Sequence, residues 1–190
     1  FVLRLSWLEE QFVPTPAGLD LRLAACRLEG AEGAPMLPVY RAQVAVPPGH
    51  RPQLVWRLLS SRPVAGEPLP FPTAKAIPLG ADERIFTEEL LKDPALFALP
   101  SPICAQLGPE RWLRDQRVVE LRVAPVAWHP ERGLRLATEI ELSVRFVAQD
   151  RSAPPLRETL RDRDHHWEAI YAGALLNAEA GVSWRTRVPP

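Results

Sequence analysis

The sequence predicts a mainly β protein, an antiparallel, jelly-roll-like β-sandwich with a C-terminal α-helix. Along residues 1–150, apolar and polar residues alternate in short runs, which is typical of strands with one buried and one solvent-exposed face. Twenty-two prolines against ten glycines punctuate these runs and argue against a mostly helical chain, because proline is excluded from helix interiors. After Pro155 the apolar spacing changes to three and four residues, which predicts one terminal helix.

The alternation predicts a series of strands from the N-terminus. They cover residues 1–8, 19–23, 40–46 and 54–58, and the first two are expected to form a hairpin through Pro14–Gly18. Trp7 and Trp56 fall on the buried phase of their strands. The prolines between residues 63 and 78 favour an extended path, and residues 81–91 suit a short helix. Residues 92–108 are interrupted by three prolines and are predicted to be irregular.

The clearest alternation lies between Leu113 and Phe146. Apolar residues alternate with polar ones before and after His129–Gly133, which supplies the proline and glycine of a turn. This pattern predicts a long β-hairpin. The apolar phase shifts around Pro125, which cannot donate to a ladder, so we expect a bulge or an edge kink there.

The C-terminal part predicts a helix followed by a linker. In residues 156–180 the large apolar side chains recur at helical spacing, and Asp162 or Asp164 suits the helix N-terminus. We therefore expect a sandwich over residues 1–150, a helix on or beside it over 151–180, and a linker towards a downstream domain over 181–190.

Composition excludes several partners. Charged residues make up 24% of the chain and balance to +0, so no electrostatic footprint points to nucleic acid or an anionic membrane. No stretch has the roughly 20 apolar residues of a membrane span. The chain begins at Phe1 without a recognisable signal segment, so we expect a piece of a larger protein.

Two cysteines and two histidines are the first candidates for chemistry. Cys26 and Cys104 are expected to be independent free thiols, although the sequence leaves a bond between them open. A catalytic Cys104 would need a base, for which His50 and His129 are candidates. Neither histidine lies in a nucleophile motif, so a structural thiol is favoured.

Two further patterns suggest ligands. The acidic and imidazole side chains of residues 162–168 could ligate a metal, but no second cluster completes a four-ligand site, so a solvated first helical turn is favoured and no metal or cofactor is expected. The metal candidates are Asp162, Asp164, His165, His166 and Glu168. Exposed tryptophans such as Trp112 or Trp128 could instead present a flat platform to glycan.

Four stretches resemble one known family. Gly33–Val39 and Val44–Gly49 look like its strand entry G-x-P-x-L-P and its exit V-x-V-P-x-G. Arg117–Val126, followed by Trp128-His129-Pro130, looks like R-V-V-x-L-x-V-x-P-V, and Leu176-Asn177 with Trp184-Arg185 looks like a pre-catalytic linker. Together they resemble the N-terminal propeptide domain of the gingipain-type cysteine peptidases. His129 stands where the family commonly has Asn, a conservative change in a turn.

The resemblance implies a bacterial, exported precursor. Its propeptide would dock on its own caspase-like peptidase domain, assist the folding of that domain and hold it latent until the linker is cut, with the catalytic His and Cys downstream of this chain. In gingipains a propeptide loop offers a basic side chain to the specificity pocket.

The resemblance also implies site residues. Candidates for the basic side chain are Arg84, Lys92 and Arg111, and Arg185 and Arg187 are candidate processing sites; plain surface charge is the alternative for each. A carbohydrate- or protein-binding module is the competing function, and coplanar exposed tryptophans would favour it. An enzyme that uses Cys104 or the His165-His166 pair is a third alternative.

Overall fold

The structure is a computed structural model. It describes residues 1–15, 18–64, 93–149 and 165–184, without the side chains of residues 12–20 and 165–166. Within these residues the chain forms two antiparallel sheets, one separate hairpin and three short helices.

Sheet A is built around the longest strand of the chain. Its strands are β1 (Val2–Ser6), β6 (His50–Pro63), β9 (Val126–His129) and β10 (Gly133–Ala148). The order is β1-β10-β6, and β9 also pairs with β10. The turn that joins β9 to β10 lies where the proline and glycine of His129–Gly133 predict it.

Sheet B has four strands. They are β4 (Cys26–Glu29), β5 (Leu37–Ala45), β7 (Cys104–Leu113) and β8 (Gln116–Ala124), in the order β4-β5-β8-β7. A separate hairpin is formed by β2 (Glu10–Thr15) and β3 (Gly18–Leu23).

The main core lies between the two sheets. From sheet B, Val119, Leu121 and Val123 point inward, and from sheet A the matching positions include Leu136 and Ile140, all of them buried. Every pairing between named strands is antiparallel, which confirms the predicted sandwich.

The helices are shorter than predicted. They are α1 (Pro94–Phe97), α2 (His165–Ala174) and α3 (Ala178–Gly181), with a 3₁₀ turn at Val182–Trp184. The prediction of one continuous helix to residue 180 is wrong, because the chain leaves the helical conformation before Asn177. Among the described helices, none has the length and hydropathy needed to cross a membrane.

The predicted long hairpin is only half right. β9 and β10 form its turn, but β8 pairs with β5 and β7 in the other sheet. Pro125 therefore lies where the chain crosses from sheet B to sheet A, and not in a bulge or an edge kink. Its carbonyl accepts a hydrogen bond from the amide of Ala137 at 2.7 Å, while the missing N–H of the proline leaves no donor unpaired.

Three further predictions are corrected. β1 pairs with β10 rather than with residues 19–23, whose partner is the unpredicted strand β2. Residues 104–108 belong to β7 and are not irregular. The strand β4 was also not predicted. The predicted helix at residues 81–91 and most of the proline-spaced path lie outside the described residues.

Candidate functional site

Val64 marks the point where the described chain stops before residues 65–92. Its side chain is buried, and its amide donates to the carbonyl of Leu134 at 3.0 Å, next to the turn between β9 and β10. The end of β6 is therefore fixed to the sandwich core.

The chain resumes at Asp93, which is fixed as firmly. The amide of Asp93 donates to the carbonyl of Gly33 at 3.0 Å, and its carboxylate accepts from the amide of Ala95 at 2.8 Å, which caps α1. A Cβ at Gly33, where φ is +77°, would lie 2.9 Å from the Cβ of Asp93. Position 33 thus requires glycine for both its backbone conformation and this close approach.

Helix α1 is held against β9. The Phe97 ring meets the Trp128 ring edge-on at 6.2 Å, and the indole Nε1 of Trp128 donates to the carbonyl of Phe97 at 2.9 Å. Ser101 and Trp128 exchange two backbone hydrogen bonds of 2.9 and 2.8 Å. Since Trp128 pairs with Leu134, both boundaries of residues 65–92 lie at the same end of the sandwich.

The structure describes one of the five predicted site residues. Arg111 is exposed on β7, where it pairs with Val118 near the opposite end of β8. Arg84 and Lys92 fall between the two fixed boundaries, but they lie outside the described residues, as do Arg185 and Arg187. Arg111 is therefore separated from the boundaries by most of the length of β8.

Residues 165–184, which we call the C-terminal strap, pack on the outer face of sheet B. Tyr171 and Leu175 are buried against Ala45 and Val118 in a second, smaller hydrophobic cluster. The hydroxyl of Tyr171 donates to the carbonyl of Leu113 at 3.2 Å. Regular structure extends to Trp184, four residues into the segment predicted as a linker.

Hydrogen bonds attach the strap to β5. The side chain of Asn177 accepts from the amide of Ala45 at 2.8 Å and donates to its carbonyl at 3.0 Å. The amide of Leu176 donates to the carbonyl of Gln43 at 2.9 Å. Asn177 thereby completes the backbone pairing of β5 beyond the point where β4 ends.

Beside the strap, sheet B carries a ladder of alternating charges. Arg41 lies between Glu29 and Glu120, and Arg122 also contacts Glu29 at 3.3 Å. Hydrogen bonding from Arg41, with the charges of Arg41 and Arg122, lowers the pKa of Glu29 despite its desolvation. This surface is an internally paired network.

The two thiols are free, as predicted. Cys26 faces the core, where burial raises its pKa to about 11 against an opposing hydrogen bond from Trp7. Cys104 lies on the opposite edge strand and on the outer face, since its neighbour Ala105 packs inward. Two intervening strands put the cysteines about 14 Å apart on opposite faces, too far for a disulfide.

The proposed catalytic histidines have other partners. Nδ1 of His50 lies 2.8 Å from the carbonyl of Pro48, and Nδ1 of His129 accepts from the amide of Glu131 at 3.2 Å. Neither arrangement forms a thiol–imidazole pair with Cys104. Within the described part of the chain no group of three or more His, Cys, Asp or Glu could hold a metal; Asp162 and Asp164 lie outside that part.

The tryptophans do not form a platform. Trp128 is buried, which contradicts its proposed role in glycan binding, and Trp112 is 54% exposed on an edge strand. The guanidinium of Arg114 lies 5.0 Å from the ring centre of Trp167, and Trp184 meets Phe146 edge-on. Among the described rings, no two tryptophans stack side by side, so the glycan-binding alternative is not favoured.

Comparison with known proteins favours the propeptide over the binding module and the enzyme. Residues 88–181 match the model of the Propeptide_C25 family. The matched part of the chain is a gingipain-type propeptide domain. The matched residues include α1, all strands from β7 to β10, and the strap as far as α3. The match therefore contains both Asp93, which caps α1, and Asn177, which bonds the strap to β5.

Two solved structures share the propeptide fold. One is a complex of the RgpB pro- and mature domains from Porphyromonas gingivalis, with 21% identity, a TM-score of 0.62, and coverage of 94% of this chain and 92% of that chain. The other, concerned with zymogenic latency of gingipain K from the same organism, has 20% identity, a TM-score of 0.60, and coverage of 76% and 86%. A search of curated proteins gave no match.

Proposed function

We propose that this propeptide is a non-catalytic, intramolecular inhibitor and folding assistant of a caspase-like cysteine peptidase domain in the same precursor. It occludes the active-site cleft by steric blockage and is released after linker proteolysis. The precursor is exported to the bacterial surface or beyond, and the catalytic His and Cys belong to the downstream domain. The family match and the solved complex of a related pro- and mature domain support this proposal.

The proposed blockage of the cleft depends on Val64 and Asp93, the two fixed residues that border positions 65–92. A segment whose two ends are fixed at Val64 and Asp93 loses less conformational entropy on binding than a free tail does. Arg84 and Lys92 belong, in sequence, to the stretch between these two boundaries. An inhibitor gains affinity when the side chain that enters the cleft is restricted beforehand in this way.

The three basic candidates differ in their setting. Arg111 projects from within a paired strand, which limits how deeply its side chain reaches into a cleft. Arg84 and Lys92 lie in the segment between the boundaries, and we propose that one of them occupies the specificity pocket. Arg185 and Arg187 follow directly on the strap, and we propose that processing takes place there.

Inhibition in trans tests the proposal. The 190-residue chain is added to the processed peptidase domain of its precursor, and the inhibition constant is compared for wild type, Arg84→Ala, Lys92→Ala and Arg111→Ala. We expect one of the first two variants to weaken inhibition by about tenfold or more, because a charged side chain lost from a specificity pocket costs at least ~1.4 kcal/mol. Arg27→Ala, at an exposed site on β4 away from that end of the sandwich, is the matched control.

Three outcomes separate the parts of the proposal. If the wild-type chain does not inhibit the peptidase domain, the inhibitor function is wrong. If it inhibits and only Arg111→Ala weakens it, the assignment to residues 65–92 is wrong. If all variants match the control, inhibition proceeds without a basic residue in the pocket.

A further inference from the structure

The outer face of sheet A carries a regular array of side chains. The register places Arg4, Glu141 and Arg57 in one row across β1, β10 and β6. The next row is Val2, Ser143 and Val55. Successive rows are about 7 Å apart, because outward-facing residues alternate along each strand.

This array continues along β10 and β6 without β1. Arg145 pairs with Gln53 in the third row, and Val147 pairs with Arg51 in the fourth. The four rows form a patch about 20 Å long, and we call it the arginine–valine face.

Arginine dominates the charge of this face. Its charged residues, including two that lie closer to the β9–β10 turn than the four rows, are Arg4, Arg51, Arg57, Arg135, Arg145, Glu139 and Glu141. Arg4 and Arg57 share the single carboxylate of Glu141, at 3.1 and 2.8 Å. Arg51 and Arg145 have no carboxylate partner among the described residues. The face therefore has positive charge that no acidic side chain described here neutralises.

Exposed apolar side chains lie between the arginines. Val2 and Val55 are 65% and 59% exposed and flank the small side chain of Ser143, and Val147 is 45% exposed. Arginine interleaved with exposed apolar residues is the composition that protein interfaces favour over ordinary surface.

The outer face of sheet B differs. Its far end is covered by the strap, through Tyr171 and Leu175, and its centre is occupied by Arg41 between two glutamates. The exposed cation Arg27 stands beside that network on β4. Sheet B therefore has no comparable row of exposed valines between unpaired arginines among its described residues.

We propose that the arginine–valine face is a docking surface for the downstream peptidase domain, which contacts it through an apolar patch edged by carboxylates. This inference rests on the proposed function and names the surface that the partner uses. Charge complementarity decides the occupant: acidic side chains neutralise Arg51 and Arg145, and an apolar centre covers Val2 and Val55. A second copy of the chain, face to face, would bring arginine against arginine.

The test is binding of the 190-residue chain to the processed peptidase domain by interferometry, at low and at physiological salt. The double variant Arg51→Glu with Arg145→Glu should weaken binding by about tenfold or more and reduce its salt dependence, because both charge pairs become repulsive. Arg27→Glu, a single charge reversal on sheet B, should stay within about twofold of wild type. Arg51→Gln with Arg145→Gln replaces the double variant if reversal lowers the unfolding temperature.

The outcomes separate this inference from the proposed function. If wild type binds and inhibits, but the double variant and the Arg27 control behave alike, the docking surface is wrong while the inhibitor function stands. If wild type neither binds nor inhibits, the proposed function itself fails. Binding lost equally in both variants would assign the effect to overall charge, and self-association through this face at sedimentation equilibrium would assign it to a second copy. Either result overturns the inference.

Discussion

Asn177 offers the sharpest test of how the strap is held on the sandwich. Its side chain forms two hydrogen bonds, of 2.8 and 3.0 Å, to the backbone of Ala45, a residue with no exposed surface. Asn177→Ala leaves a buried amide and a buried carbonyl without these partners. Because each such group costs about 1–3 kcal/mol, we expect the strap to lose at least about 2 kcal/mol of attachment free energy.

Hydrogen exchange measures this loss directly. The amide of Leu176 donates to Gln43 across the same junction, so its exchange reports opening of the strap. At about 1.4 kcal/mol per factor of ten, exchange of this amide should accelerate at least about 30-fold in Asn177→Ala. Amides in the sheet A core, such as that of Leu142, should keep their protection, because the opening is local.

Ser183→Ala is the matched control for the strap. The Ser183 hydroxyl donates to the carbonyl of Ala180 at an exposed site, so its loss should leave the exchange of Leu176 unchanged. If Asn177→Ala changes that exchange by less than about threefold, the two bonds to Ala45 do not hold the strap and the reasoning is refuted.

Three further predictions concern sheet B and the thiol beneath it. Arginines hold the pKa of Glu29 below its ordinary 4.5, so the contribution of Glu29 to stability is complete above that pH and is lost as the pH falls through its folded-state pKa. In urea unfolding between pH 7 and 3, Glu29→Gln should therefore lose less unfolding free energy on acidification than wild type does, by at most about 1 kcal/mol. Gly181→Ala places a Cβ 3.0 Å from that of Ala45 and 3.2 Å from Oε1 of Gln116, and should destabilise the strap by about 1–3 kcal/mol, seen as faster Leu176 exchange. Since burial raises the pKa of Cys26 to about 11, iodoacetamide at pH 8 should modify it only after unfolding, and rapid modification of the folded protein would contradict its placement.

The local pattern of the sequence predicts strands that have one face buried along most of their length. Leu134 to Phe146 alternate so regularly that β10 and the turn before it are predicted correctly. This succeeds because one face of β10 is buried along most of its length, so the period of two is visible without knowledge of partners.

Partners that are distant in sequence were not predictable. The alternation around Pro125 continues on both sides, and nothing local shows that β8 belongs to one sheet and β9 to the other. In β7, Gly108 and Pro109 suggest a break, but they lie at a register shift between Leu107 and Glu110, where a bulge accommodates them. Gly108 and Pro109 therefore do interrupt the regular pairing, but within a strand and not at its end.

The candidate site residues rest on the resemblance and not on the local pattern, for a physical reason. The basic residues were named from resemblance, and an arginine in a strand looks the same in sequence whether its neighbours neutralise it or not. Arg41 is held between two glutamates from different strands, while Arg145 has no such partner in the part of the chain that the structure describes. That difference depends on cross-strand register, which single-sequence patterns do not determine.

The two ends of sheet B divide the proposed tasks of the propeptide. The strap attaches beside Val118, near the start of β8, whereas the fixed boundaries at Val64 and Asp93 lie beyond its end, about 25 Å away along the strand. Opening the strap therefore leaves the contacts of Val64 and Asp93 intact. If Asn177→Ala loosens the strap and yet inhibits the peptidase domain as strongly as wild type, the strap serves attachment of the linker and not occlusion of the cleft. Parallel loss of inhibition would show that the strap itself contributes to the contact with the peptidase.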